Sequence, residues 1–385
     1  MRNPALEATQ TIPLEMAIGE TSNNQPIRPA SQVIDRLLHP RFKESLLLAI
    51  VYVITAKLGQ TLAIPPGNVT AVWIPSGIIL AAVLVRGYQI WPGIFFGAFI
   101  GNTTSYLTLD SWSTIISTLS AGVLNGIGDV LCAVVGAYAI EQACRTRFPF
   151  HRAPHVFYFA LYGALIGSFI SALFGVTGLA AAGFISWKIY FDVFITWWTG
   201  DGVGVLILTP ILLSLANRQI TFSVRLEHLA YVITLSLGIA FGLGLLTPNP
   251  GQIGLITLIP IVMWSVYRLD TRTTFISIFI ISAAVTVATA MGESWLAASQ
   301  LNDSLVELQQ YMSLLALTIL LLHAVTEERK QAEAALRELN RELDSRVTLR
   351  TADLEATRKS LEHSDRRLRG LVNSLEAGVV VHNSC

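Results

Sequence analysis

IPPGNVTAVWIPSGIILAAVLVRGYQIWPGIFFGAFIGN, residues Ile64–Asn102, is apolar enough to lie in lipid, yet it holds four prolines, six glycines and no acidic residue. A single membrane helix needs about 20 apolar residues in a row. This stretch instead offers two shorter apolar runs, Ile74–Val85 and Ile90–Ile100, with Pro75 and Pro92 at or near their starts. Proline is tolerated in the first helical turn because the N–H it lacks has no intrahelical partner there. The spacing therefore predicts two short helices. Trp73 and Trp91, each two residues before or next to its proline, are expected as anchors at the membrane interface.

Composition agrees with a membrane protein. The chain has 385 residues, of which 52% are hydrophobic and 14% charged, with a mean hydropathy of +0.56. A soluble domain carries about 25% charged residues. Cys132, Cys144 and Cys385 show no paired spacing, so neither a disulfide framework nor a zinc site is indicated. The first 43 residues lack an apolar core of the signal-peptide kind and read as a flexible polar tail.

Ten apolar runs follow, near 44–64, 71–86, 89–107, 112–141, 155–183, 189–216, 229–246, 252–267, 273–292 and 306–325. If successive runs cross the membrane in alternation, 24 of the 26 Lys and Arg residues fall on one side. Basic residues near span ends stay in the cytoplasm. Both termini are expected inside, and an eight-span arrangement with residues 71–107 as one re-entrant unit keeps them there. The sequons at Asn68 and Asn102 are read as amides that hold bent backbone beside Gly67 and Gly101.

Three motifs carry a family resemblance: PPGNVTAVWIPSGI (Pro65–Ile78), WPGIFFGAFIGN (Trp91–Asn102) and WWTGDGVGVLILTPIL (Trp197–Leu212). With them, residues 44 to 325 resemble the first class of membrane-associated sensor domains, MASE, of bacterial signalling proteins. The resemblance implies an all-α integral membrane fold of 8–10 spans and a role in signal reception. It names no stimulus.

Ionisable residues inside membrane spans are costly and mark candidate sites. Lys57 lies about 10 Å inside the first span at 1.5 Å per residue, where it either snorkels outward or joins an internal ion pair. Asp192 lies near the outer end of the sixth run. Asp201 is deeper, between Gly200 and Gly202, which permit close backbone approach or a helix break. It is either the polar centre of a pocket or a carboxylate capping backbone N–H groups. Asp129 follows Asn125 by one turn, so the two share a helix face. A ligand or signal pocket is thus expected from Asp201, Trp73, Pro75, Asn102, Asn125, Asp129, Trp197 and Lys57, between the Pro/Gly stretch and the sixth span.

Enzymatic readings find little support. Gly126-Ile127-Gly128-Asp129 spells the GxGD string of intramembrane aspartyl proteases, whose chemistry needs two carboxylates sharing a proton. In that family the partner aspartate precedes the string. Here Asp192, in a Tyr-Phe-Asp context, comes after it, and nine positions put Asp192 and Asp201 on opposite faces of one helix. Nucleophile elbow, phosphate-loop and zinc-helix strings are missing. His151 and His155 are spaced i, i+4, but Pro154 intervenes and they read as interfacial histidines. No catalytic residue, metal, cofactor or nucleic-acid partner is expected.

After Val325 the composition changes to Ala, Glu, Leu and Arg, which is helical by propensity. Val347, Leu354, Leu361 and Leu368 recur every seven residues as a coiled-coil seam. Upstream, Leu336, Leu339 and Leu343 lead to Val347 by steps of 3, 4 and 4, a stutter. A weak parallel homodimer or a solvated single helix fits the polar seam positions Thr351, Arg358 and Asp365. The stretch 326–370 resembles a signalling helix, and 371–385 resembles the start of a PAS domain, a short helix and a strand over Gly378–His382. Domain organisation is then a tail (1–43), a sensor domain (44–325), a signalling helix (326–370) and the opening of PAS (371–385). The expected partners are membrane lipid, a second copy and an unidentified small ligand or membrane signal. The expected role is the input module of a sensor histidine kinase or, as the lesser choice, a diguanylate cyclase. Broken helices and midplane carboxylates also suit a secondary transporter.

Overall fold

The computed structural model describes residues 30–61, 70–107, 110–217, 226–246, 251–290 and 301–382, and among these every regular element is a helix. We number them α1 (Ala30–Leu38), α2 (Phe42–Gln60), α3 (Ile74–Arg86), α4 (Trp91–Tyr106), α5 (Trp112–Cys144) and α6 (Ala153–Ala181). Then come α7 (Tyr190–Ala216), α8 (Leu226–Gly242), α9 (Gly251–Ile256), α10 (Leu258–Arg268), α11 (Thr271–Ala290) and α12 (Leu301–His382). Among the described residues each of the ten apolar runs holds a helix. The tail over residues 1–29, Asn68 and Cys385 lie outside the described residues.

Among the described residues five helices are long and apolar enough to cross a membrane: α5, α6, α7 with its leading turn from Trp187, α11 and α12. Helices α3 and α8 and the stretch Gly254–Arg268 are apolar but shorter, and the 19-residue α2 carries Lys43, Glu44 and Lys57. The chain is a polytopic all-α membrane protein.

Local chemistry sets the helix starts. Pro75 and Pro92 sit in the first turns of α3 and α4. The Ser111 side chain caps α5 by accepting from the Thr114 N–H at 3.2 Å. Within α6, Ala160–Gly167 widens to a π-helix, a form frequent at functional sites. Helix α7 runs without interruption through TGDGVG and Pro210. The glycines there serve close approach; the alternative of a helix break is not taken.

Helix α7 is the centre of the bundle. In its most apolar 18-residue stretch 78% of residues are buried, against 44–56% in the corresponding stretches of the other four long helices. It packs against α3, α6 and α11, while α2 packs on α4, and α5 on α4 and α6. The contact of α3 with α7 is backbone to backbone. A methyl group on Gly204 would run into the Trp73 carbonyl, and one on Gly77 into the Gly204 carbonyl and Leu208 Cβ. Close packing through small residues replaces the hydrophobic drive that lipid cannot supply between helices. The Trp73 N–H donates to the Gly200 carbonyl at 3.1 Å, and the Thr209 hydroxyl to the Gly77 carbonyl at 3.0 Å. These two bonds join the WIPSG and TGDGVG motifs into one unit.

That unit corrects the expectation for Trp73. It is a core residue, 9% exposed, with its ring against Gly59 of α2. The segment before α3 folds back on α7 and carries the indole inward. Trp91 is part-buried, and its indole N–H donates to the Leu37 carbonyl of α1 at 2.8 Å.

The packed bundle lies within Glu20–Glu328, and α12 from Arg329 onward belongs to a second unit. In that unit the helix is supported by i, i+4 ion pairs: Arg329–Glu333 at 2.8 Å, Arg358–Glu362 at 2.9 Å, Arg369–Asp365 at 3.0 Å, and Arg346–Glu342. Each contributes a few tenths of a kcal/mol, about 0.3–0.5. Val347, Leu354, Leu361 and Leu368 are exposed on it. The helix continues to His382, where a strand from Gly378 was expected. A strand needs a ladder partner for its backbone groups, whereas a helix satisfies its own, and among the described residues no strand is present to pair with.

Candidate functional site

Two carboxylates meet in the bundle core. Asp129, on α5, is 2% exposed, and Asp201, on α7, is fully buried. They stand close enough for their charges to interact. Asp129 accepts on both oxygens: the Tyr52 hydroxyl of α2 donates to Oδ2 at 2.5 Å and the Ser171 hydroxyl of α6 to Oδ1 at 2.8 Å. Asp201 accepts from the Ser76 hydroxyl of α3 on Oδ1 at 2.8 Å. Its Oδ2 is sealed from solvent and has no hydrogen-bond partner, although Ser171 and the Trp197 indole lie beside the carboxylate. Five helices thus converge on one polar cluster.

The local sequence explains how each group is held. Pro75 starts α3 and leaves Ser76 in its first turn, with the Ser76 N–H donating to the Trp73 carbonyl at 3.3 Å. Tyr52 is fully buried because Gly97 of α4 leaves room for its Cβ and ring. Trp73 stands next to the Tyr52 hydroxyl. Asn125 and the Trp197 ring meet over Gly175 of α6, where a methyl group would lie 3.0 Å from each. Asn125 is 2% exposed and shares the buried face of α5 with Asp129.

Two of the residues expected at the pocket bond to groups outside the Asp129–Asp201 cluster. The Asn102 side chain donates to the Ala98 carbonyl of its own helix at 3.1 Å. Lys57 donates to Gln60 Oε1 at 2.9 Å and Ser105 Oγ at 3.2 Å, so it binds neutral oxygens at the end of α2 and forms no ion pair with Asp201. Asp192 is exposed. Asp129 and Asp201, both named for the pocket, are the two carboxylates of the core, and Asp192 is not part of it.

Sequence reasoning started from ionisable residues within spans and from the Pro/Gly motifs, and it passed over Tyr52, Ser76, Ser171 and Gln309. Gln309, on α12, is fully buried one helical turn from the site. Its Nε2 donates to the Thr70 carbonyl at 3.1 Å and the Thr196 carbonyl at 3.0 Å, and its Oε1 accepts from the Thr199 hydroxyl at 2.5 Å. Nε2 also lies 3.1 Å from where a methyl on Gly200 would stand. The amide pair Gln309-Gln310 near the start of the last apolar run was the available signal.

A second cluster joins α8 to α11. His228 Nε2 lies 3.1 Å from Asp270 Oδ2, and Asp270 caps α11 by accepting from the N–H groups of Arg272 and Thr273 at 3.0 and 3.1 Å and from the Thr273 hydroxyl at 2.6 Å. Partial burial works against its charge, but these hydrogen bonds prevail and hold the Asp270 carboxyl below the usual carboxylate range. Arg268 and Glu227 pair beside it. This cluster fastens helix ends.

The core site itself offers no thiol–imidazole or hydroxyl–imidazole pair, and among the described residues no three His, Cys, Asp or Glu side chains gather as a metal site would require. Its chemistry is that of two acids and three hydroxyls shut away from water, with a half-buried indole beside them. The MASE1 family model matches residues 45–330. No curated protein and no solved structure matches the chain.

Proposed function

Because the chain belongs to the MASE1 family of membrane-associated sensor domains, we propose that its bundle receives a signal at the Asp129–Asp201 cluster and passes it along α12 to a cytoplasmic output domain. The observation that carries this reading is the Gln309 clasp. It ties α12 to backbone and side-chain groups of α7 within five residues of Asp201, and the same helix continues to His382. A change at Asp201 that moves α7 is felt by the helix that leaves the bundle. A carrier has no need of that continuation, which favours the sensor over the transporter.

The rest of the reading extends the same logic. Both termini face the cytoplasm of a bacterial inner membrane, on the charge asymmetry of the loops. A second copy covers the row Val347, Leu354, Leu361 and Leu368, since an exposed heptad stripe on a helix without other packing is what a parallel coiled coil buries. The output domain is a histidine kinase in preference to a diguanylate cyclase.

The test joins residues 1–370 to a dimeric histidine kinase and measures autophosphorylation in membranes. Asp201→Ala and Gln309→Leu should each lock output in one state at unchanged protein level. Output identical to the unaltered fusion in both would show that the cluster is a packing feature only.

A further inference from the structure

The hydrogen atoms of the core cluster are already committed. A hydroxyl has one hydrogen to give. Those of Tyr52 and Ser171 go to Asp129, and that of Ser76 goes to Asp201 Oδ1. Ser171 thus has one hydrogen for the two carboxylates it lies beside. Asp201 Oδ2, itself unpartnered, lies in the same enclosure with no water access. Oxygen lone pairs facing one another in a dry core repel, and two buried carboxylates without a counter-charge are more costly still. The Trp197 indole N–H on that side is a neutral donor and offsets one charge only in part.

The charged and titratable groups that face Asp201 are few. Helix α5 presents Asp129 and Cys132, and α2 presents Tyr52; α3 presents Ser76, α6 Ser171, and α7 itself Trp197. Among the described residues none of these is basic. Lys57, the one basic residue inside the bundle's first span, is held by Gln60 and Ser105. Among the described residues no side chain supplies the missing positive charge. We infer that the Asp129–Asp201 cluster binds one small monovalent cation, a proton or Na⁺, with Asp201 Oδ2 as its principal ligand and Ser171 Oγ facing it. Oxygen donors suit a hard cation, and two carboxylates with neutral hydroxyls leave one net negative charge when a single positive charge enters. The Tyr52 and Ser171 hydroxyls, both donating to Asp129, are placed to stabilise that remaining charge. This inference rests on the reading of the cluster as the sensory site and names what the site takes.

Infrared spectroscopy of the full chain in micelles separates the two cations. In neutral choline buffer without sodium, a bound proton gives the C=O stretch of a buried carboxylic acid. Asp201→Asn should remove that band, and Ser76→Ala, which deletes the donor to Oδ1, should shift it. If the cation is Na⁺, adding NaCl to the unaltered chain should abolish the band and raise the melting temperature, with choline chloride at equal ionic strength doing neither. The absence of both the band and any sodium dependence in the unaltered chain would overturn the inference. So would a band that survives Asp201→Asn and disappears in Asp129→Asn. Occupancy is read here without any output domain, so a cation site whose loss leaves kinase output unchanged would refute the sensory reading and leave the binding site intact.

Discussion

Removing the Gln309 clasp should loosen α12 from α7 by an amount the structure allows to be worked out. Gln309→Leu keeps side-chain volume near constant, so little cavity cost enters. It deletes three hydrogen bonds, two donated to Thr70 and Thr196 and one accepted from Thr199. Polar bonds between membrane helices average about 0.6 kcal/mol and bonds in soluble proteins about 1 kcal/mol. The substitution should therefore cost roughly 2–3 kcal/mol. The assay is unfolding of the full chain in mixed micelles by a denaturing detergent, followed by circular dichroism. Thr199→Val alone removes one of the three bonds, and the double variant closes a cycle. If Gln309 and Thr199 are partners, the cycle should show coupling of about 0.6–1 kcal/mol. Gln309→Glu serves as a contrast, since it turns acceptors toward the Thr70 and Thr196 carbonyls and should be less stable than Gln309→Leu. Additivity within about 0.3 kcal/mol would refute the clasp.

Other consequences can be tested alongside. Gly204→Ala should cost roughly 1–3 kcal/mol by overpacking α7 against the Trp73 carbonyl, measured in the same unfolding assay; a neutral effect would mean that α3 and α7 do not pack as closely as described. Asp270→Ala removes the cap of α11 and should cost about 1 kcal/mol. Because the folded-state pKa of Asp270 is depressed, its contribution is fully present above the unfolded value of about 3.9 and is lost as pH falls through the folded value. The stability gap between the unaltered chain and Asp270→Ala should accordingly narrow on acidification below about pH 4; a gap that stays constant would contradict the argument. In a kinase fusion, inserting seven residues after Ala352 should preserve signalling, because the seam register returns after about 10 Å. Inserting four should lock or abolish it, and equal tolerance of both would make the helix a passive tether.

The fold was legible where a single physical pattern decides it. Apolar runs of span length, interrupted by Pro75 and Pro92, predict helix positions, and helices stand there. The seven-residue row from Val347 likewise marks the exposed stripe on α12. The site was legible only in part. Asp201 and Asp129 stand out because an acid inside a span is expensive, and Asn125 follows from helix periodicity. What spacing along the chain cannot give is which helices touch. The meeting of Asp129 with Asp201 depends on the Gly77–Gly204 contact and on α6 inserting Ser171 between α5 and α7. Tyr52 was hidden for a related reason. It is an amphipathic aromatic that suits an interface as well as a core, and only the room left by Gly97 brings it inside. Lys57 was open between snorkelling and an internal ion pair, and two neutral oxygens near the helix end hold it.

The central claim is that the state of Asp201 sets the disposition of α12. Cysteine crosslinking in membranes tests it directly, with single cysteines placed in turn at Leu354, Thr357, Leu361, Ser364 and Leu368 of the full chain. The unaltered protein should crosslink between copies most readily at Leu354, Leu361 and Leu368. Adding Asp201→Asn should redistribute crosslinking toward Thr357 and Ser364, as a rotation of α12 would require. An unchanged profile, with a dimer formed in both, would contradict the account.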